Sequence, residues 1–356
     1  MIIYIFGYMI LLGMLLVSVD RRCPVYLSRL MFSFMCVTLL VFCALRGDID
    51  PDHHSYLNIY GYITQGQTYL IEPAFYFFTW LSYYLINSPA LIFIGFAFIS
   101  LTVKHELLRK YSLYPLLSLL IYYCNYYILH DMTQIRIGVA IGIAFAAIVC
   151  WFSNRRYTYY LLIFISFLFH YSALMFLIVP FLPKGRVKNK ELLIYIFVLV
   201  FAYVLYAMKF GLASVFSYIP IGFVQEKFLA YSEETRSGAL QPVNVFSMMQ
   251  MLKLAVIALI FLFANRRYSH SPFHNTMFRF YIFSSLFWVM FFDIPAFSIR
   301  ISELFGFSEV FLLPCLMSVS ARKSVGLGII ISITLFMFYL NIYHNKILLP
   351  WSVFWE

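Results

Sequence analysis

Long apolar runs alternate with short polar hinges along the whole chain. A helix needs about 20 apolar residues to cross a hydrocarbon core roughly 30 Å thick. Runs of that order cover Ile2–Val17, Leu30–Leu45, Leu91–Val103, Leu113–Leu129, Ile137–Phe152, Leu192–Met208, Val245–Ala264, Phe278–Phe292, Leu304–Val319 and Val325–Leu340. Ile71–Ile86 and Tyr157–Leu182 are ambiguous. The first run has no basic segment ahead of it and no small-residue cleavage motif before Asp20, so it reads as a retained helix and not as a signal peptide.

Lys and Arg collect in the hinges Asp20-Arg21-Arg22 through Arg29, Lys104–Lys110, Asn154-Arg155-Arg156, Lys184–Lys190, Asn265-Arg266-Arg267 and Arg322-Lys323. Short basic loops are the cytoplasmic ones. Arg155-Arg156 and Lys184–Lys190 can both lie inside only if Tyr157–Leu182 enters the membrane and returns. Two arms of a dozen residues reach about 18 Å at 1.5 Å per residue, which puts the turn near His170 at mid-membrane or beyond. The same counting makes Ile71–Ile86 a re-entrant or interfacial helix on the outer side. That side then holds Arg46–Tyr62, Glu72, a His130-Asp131 turn, Arg136 just inside the next helix, the long Gly211–Asn244 loop and the Asp293–Glu309 region with Arg300. A loop as long as Gly211–Asn244 is usually functional or disordered, and its mix of charges and aromatics fits a lid.

Composition agrees with the pattern. Hydrophobic residues make up 63% of the chain and charged ones 11%, against about 25% charged in soluble domains. We expect an all-α, polytopic integral membrane protein of about 10–13 transmembrane or re-entrant helices. It forms one transmembrane domain over residues 1–356, with outer loops 46–70 and 211–244 on the active-site side. The net charge of +10 sits in the hinges and so reports topology, not a nucleic-acid partner. The six cysteines lie mostly in apolar runs without disulfide or zinc spacing and read as packing residues.

The stretch RGDIDPDHHSYLNIYGY from Arg46 to Tyr62 gathers one arginine, three aspartates and two histidines between apolar segments. A charge at membrane depth costs at least about 2.5–3.5 kcal/mol, so this cluster is the first candidate site; a solvated loop is the plain alternative. Asp48, Asp50 and Asp52 alternate as D-x-D-x-D, but His53 and Ile59 stand where an EF-hand needs Gly and Glu. A looser divalent site of the three carboxylates remains open, beside a solvated turn at Pro51. His53, His54, His130 and His170 are candidates for proton transfer. His170 leads because it falls at a helix break, whereas His53 and His54 read as loop surface. Arg136 and Arg300 stand nearly alone in outer-leaflet stretches and suit phosphate oxygens. Snorkelling, or pairing with Glu72, Asp131 or Glu303, is the structural use. No Ser-His-Asp elbow, P-loop, zincin helix or CxxC occurs, which argues against hydrolase, ATPase and metalloprotease chemistry.

Arg46, Asp52 and Tyr56 in RGDIDPDHHSY, Glu72-Pro73 opening an aromatic stretch, Arg136 in QIRIGVAIGIAFA, Phe169-His170-Tyr171-Ser172-Ala173 and Arg300 in SIRISELFGFSEVFLLP come in order. Together they resemble the EpsG family of Wzy-like polysaccharide polymerases over roughly Arg46 to Pro314. Where the family commonly has Gly-Thr-Asp, this chain has Ile49-Asp50-Pro51-Asp52. Asp48, Asp50 or Asp52 can therefore take the family aspartate's place; the distance from Arg46 and the step to Tyr56 favour Asp52. The resemblance implies a GT-C-like glycosyltransferase architecture in the bacterial inner membrane with its site facing the periplasm. It implies polymerisation of undecaprenyl-diphosphate-linked oligosaccharides, as donor and acceptor, into O-antigen or exopolysaccharide. Arg136 and Arg300 would neutralise the leaving diphosphate, and Asp52, or else His170 or Glu72, would accept the hydroxyl proton. Arg46 and Tyr56 would position substrate or base. No cofactor is needed, and a chain-length regulator and a flippase are the implied protein partners. An O-antigen ligase shares this chemistry. A flippase would show internal repeats and charges spread through a central cavity, whereas the charges here read as gathered on one face; a membrane acyltransferase is remote.

Overall fold

The computed structural model describes the chain except residues 21, 212–242, 265–270, 319–322 and 354–356. Nearly all of the loop expected as a lid thus lies outside the described residues, which contain no β-strand, only an isolated bridge between Arg46 and Val353. The protein is an all-α, multi-pass membrane protein, as its apolar runs require: without water, only a helix satisfies a spanning segment's backbone internally. Six described helices are long and apolar enough to cross: α1 (Ile2–Val19), α2 (Val25–Ala44), α5 (Ala90–Tyr111), α7 (Ile135–Phe152), α9 (Asn189–Ala207) and the final run Lys323–His344. Proline opens α4 (Pro73–Ile86) and α6 (Pro115–Tyr122), where its missing N–H costs nothing.

Contacts divide the chain into two compact units, residues 1–181 with 313–356, and residues 182–312. In the first, α3 (His53–Thr64) and α4 pack with α5, α7 and α8 (Arg156–Phe169) around Phe75, Phe93, Phe96, Val139, Ile143 and Phe169. At another place in this unit Asp20, Cys23, Ser28, Tyr114 and Lys323 line a cavity of about 340 Å³. Two of the basic hinges, Asp20–Arg29 and Arg322-Lys323, therefore meet at one end, beside the start of α6.

Two ambiguous stretches take a definite form in the structure. α4 has only 14 residues, about 20 Å at 1.5 Å per residue, short of a full crossing. α8 stops at Phe169, His170 is extended, and a 3₁₀ run (Tyr171–Phe181) returns beside it, because the Tyr159 hydroxyl donates to the Phe176 carbonyl at 2.7 Å.

Other expectations need correction. Lys104 belongs to no hinge: α5 continues to Tyr111 and buries Lys104 completely, leaving Glu106, Arg109 and Lys110 as the exposed ionic end. His130-Asp131 is no outer turn but the buried end of a π-helical stretch (Tyr123–Asp131) that continues α6. The second half of the Arg46–Tyr62 cluster is helix α3, and His53 is buried within it instead of lying on a loop surface. His54 is exposed, pairing with Asp48 at 2.8 Å. The run Leu304–Val319 is not one helix, since the chain turns at Phe307-Ser308 and the Ser308 hydroxyl bonds back to the Phe305 carbonyl.

The second unit holds α9, α10 (Met248–Leu259), α11 (Pro272–Met290), α12 (Pro295–Gly306) and the single turn α13 (Glu309–Leu312). The Arg279 guanidinium forks onto Glu191 at 2.9 and 3.1 Å and donates to the Gly185 carbonyl at 2.8 Å, while Asn275 bonds Lys184. The Lys184–Lys190 hinge and the start of α11 therefore share one end. Lys253, inside an apolar run, donates to Ser284 and Ser302 at 2.9 and 2.8 Å. Like Lys104, it is a charge buried within a helix and not in a hinge or loop.

Candidate active site

α5 serves as a ruler through the first unit. Phe93, near its start, touches three residues of the acidic stretch: the His53 ring stacks on it at 4.9 Å, Tyr56 meets it edge-on at 6.2 Å, and the Arg46 guanidinium lies 5.2 Å from its centroid. Lys104, about 16 Å further along at 1.5 Å per residue, places both side-chain oxygens of Asp131 at 2.8 Å. Ser100 also donates to this carboxylate, and Tyr122 does so at 2.5 Å. The Asp131 carbonyl, in turn, accepts from Arg46 Nη1 and from the Cys43 thiol.

Arg46 is 1% exposed, so it reaches no substrate from where it sits. Its Nε lies 3.6 Å from the Asp50 carboxylate, also buried. Burial pushes the Asp50 carboxyl up to about 6 against the pull of Arg46, because the dry site disfavours the charged form more than one cation favours it. The other Asp50 oxygen accepts the Asp52 backbone N–H at 3.0 Å. Asp52 then opens α3 with a half-exposed carboxylate to which no described residue donates, and its carbonyl accepts the Tyr56 N–H. The three aspartates thus diverge, Asp48 to His54, Asp50 to Arg46 and Asp52 to the surface. Among the described residues no three His, Cys, Asp or Glu side chains form a group that could hold a metal.

Four candidates do converge, each from a separate element. Arg136, in the first turn of α7, ion-pairs through Nη1 with Glu72, the residue before α4. Its guanidinium also lies over the Tyr56 ring, 5.8 Å from the centroid. His170, at the helix break, sets Nε2 4.0 Å from the other Glu72 oxygen. Its Nδ1 accepts the Ser172 N–H at 3.3 Å and meets the Ser172 hydroxyl at 2.7 Å, which leaves Nε2 as the ring nitrogen turned to Glu72. The Tyr171 hydroxyl donates to the Ile71 carbonyl at 3.3 Å and ties the break to the chain before Glu72. The pairing of Arg136 with Glu72 weighed from the sequence is therefore realised, yet a quarter of the Arg136 side chain stays exposed. That leaves it able to meet an anion. Arg300 lies in the second unit, exposed on α12.

Sequence reasoning missed three parts of this arrangement. Lys104 hid in a basic run, Phe93 in an aromatic-rich one, and the segment Leu349–Val353 carries no polar motif. That segment lies against the Arg46–Asp50 loop: the Gly47 N–H donates to the Ser352 carbonyl at 2.9 Å, and the Leu349 N–H to the Ile49 carbonyl at 2.8 Å. Gly47 allows this approach, since a Cβ there would stand 2.6 Å from the Val353 carbonyl oxygen.

Comparison with curated proteins and with solved structures finds no match. The profile of the EpsG family, in contrast, matches residues 29–353, a range that contains every candidate above as well as the Leu349–Val353 segment. The chain belongs to the EpsG family.

Proposed function

We propose that the protein polymerises undecaprenyl-diphosphate-linked oligosaccharide repeat units into O-antigen or exopolysaccharide, acting as a GT-C-like membrane glycosyltransferase at the periplasmic face of the bacterial inner membrane. Family membership supports a polymerase-like role. The observation that carries the site is the meeting of Tyr56, Glu72, Arg136 and His170 from four elements, one turn of helix from the free carboxylate of Asp52.

A hydroxyl oxygen of the acceptor repeat attacks the anomeric carbon of the growing glycan, and the bond from that carbon to the lipid diphosphate breaks. Asp52 takes the hydroxyl proton; His170 and Glu72 are the next choices as base. Arg136 takes up the charge on the departing diphosphate, the electrostatic contribution that is usually largest in catalysis, and Arg300 is the other candidate for that role. Glu72 holds the Arg136 fork in position until the anion arrives, and Tyr56 packs beneath it. Arg46 is buried, so its part is to fix the loop that carries Asp52. The activated diphosphate drives the transfer without a nucleotide or other cofactor.

Deleting the gene and resolving the surface polysaccharide by length tests the reading. Loss of a polymerase leaves single repeats on the surface. A bare surface would indicate a ligase, and repeats trapped inside would indicate a flippase.

A further inference from the structure

We propose that Leu349–Val353 is a positioning element for the reaction: it holds the Arg46–Asp50 loop in the register that presents the Asp52 carboxylate. The inference rests on the function proposed above. Its basis is a continuous chain of bonds. The segment is fixed at its near end, where the Tyr4 hydroxyl of α1 donates to the Leu349 carbonyl at 3.1 Å, and by Trp351, which stacks on Phe42 of α2 at 4.5 Å. Just upstream, Asn341 donates to the Cys124 carbonyl at 2.9 Å and to the Asn125 side chain at 3.2 Å, anchoring the same end of the last helix.

From there the strap grips the loop by backbone alone, through Leu349 to Ile49, Ser352 to Gly47, and the bridge of Val353 with Arg46. The loop passes the constraint on through the Asp50 carboxylate to the Asp52 N–H, and through the Asp52 carbonyl to Tyr56. Loop backbone at such a place is tolerated when it is buried in protein. Without the strap, the Gly47 N–H and the Ile49 carbonyl would lose their partners, leaving the Arg46 and Asp50 side chains alone to set the path of the peptide linking α2 to α3. A catalytic group needs placement to a fraction of an ångström.

The test compares purified full-length wild type with Trp351→Ala, Trp351→Phe and Leu349→Pro, the last of which deletes one N–H donor. Trp351→Ala and Leu349→Pro are expected to lower kcat for polymerisation of lipid-linked repeats by about ten- to a hundredfold, the cost of a roughly 1 Å misplacement, with KM unchanged. Trp351→Phe, which keeps a ring on Phe42, should retain most of the rate. In parallel, hydrogen exchange of peptide 46–53 should speed up in the two damaging variants while exchange in α7 does not change. Unchanged kcat per folded molecule, or unchanged exchange of 46–53, overturns the inference. If wild type does not polymerise at all, the functional reading fails, and the exchange arm still decides whether the strap holds the loop.

Discussion

Lys104 and Asp131 form a completely buried ion pair, with the lysine nitrogen 2.8 Å from both carboxylate oxygens. Ser100 and Tyr122 complete the shell around the carboxylate, and its own main-chain carbonyl receives Arg46. Such a pair owes its persistence to being whole. Removing one partner strands a buried charge and costs about 3–5 kcal/mol, whereas replacing both by apolar groups is often neutral. Lys104→Met should therefore lower the thermal midpoint in detergent strongly, Asp131→Leu likewise, and the double variant should recover much of the loss. Additive losses in that cycle would show that the pair is not coupled.

Asp50 gives the acidic loop a pH dependence. Its folded value of about 6 lies above the ordinary 3.8, so folding of the loop favours the protonated form. The sign follows: Asp50's contribution to stability is fully present below about pH 4 and is lost as pH rises through about 6. Hydrogen-exchange protection of peptide 46–53, corrected for intrinsic rates, should fall over that window. Asp50→Asn should flatten the profile, and a mutant curve that still follows the wild type would assign the titration to another group.

The basic hinges should face the cytoplasm and the Asp52 end the outside. In a background lacking Cys23 and Cys150, the two cysteines that are not buried, a cysteine at Ser55 should react with an impermeant thiol reagent in intact cells and one at Asn154 should not. Reaction at Asn154 would reverse the orientation.

Class, most crossings and the turn at His170 were legible because they rest on two strong signals, runs of apolar length and the placement of Lys and Arg. The convergence of Tyr56, Glu72, Arg136 and His170 was foreshadowed by charge that had no cheap place in a membrane. Lys104 was misread for the same reason that the hinges were read well: beside Arg109 and Lys110 it counts as hinge charge, and only its partner Asp131, reached through tertiary packing, shows that the helix runs on past it. His53 reads together with His54 as loop surface because the stretch reads as a loop; it is a helix, in which one step rotates a side chain by about 100°, so His53 faces the core and His54 the surface. The hold of Leu349–Val353 on the Arg46 loop was illegible because backbone bonds between distant segments leave no residue signature; Gly47 was its one trace.

Most direct is a polymerisation assay with purified protein and lipid-linked repeats, with and without EDTA. Asp52→Asn keeps the shape of the side chain and removes its basicity, so it should lower the rate by about a hundred- to ten-thousandfold while lipid-linked donor still binds. Arg136→Lys and Arg300→Lys should remain partly active and their alanine forms fall further, because lysine keeps the charge without the planar fork. EDTA should have no effect. Full activity of Asp52→Asn would contradict the assignment of the base and point to His170, and loss of activity with EDTA would make the aspartates metal ligands and the arginines helpers.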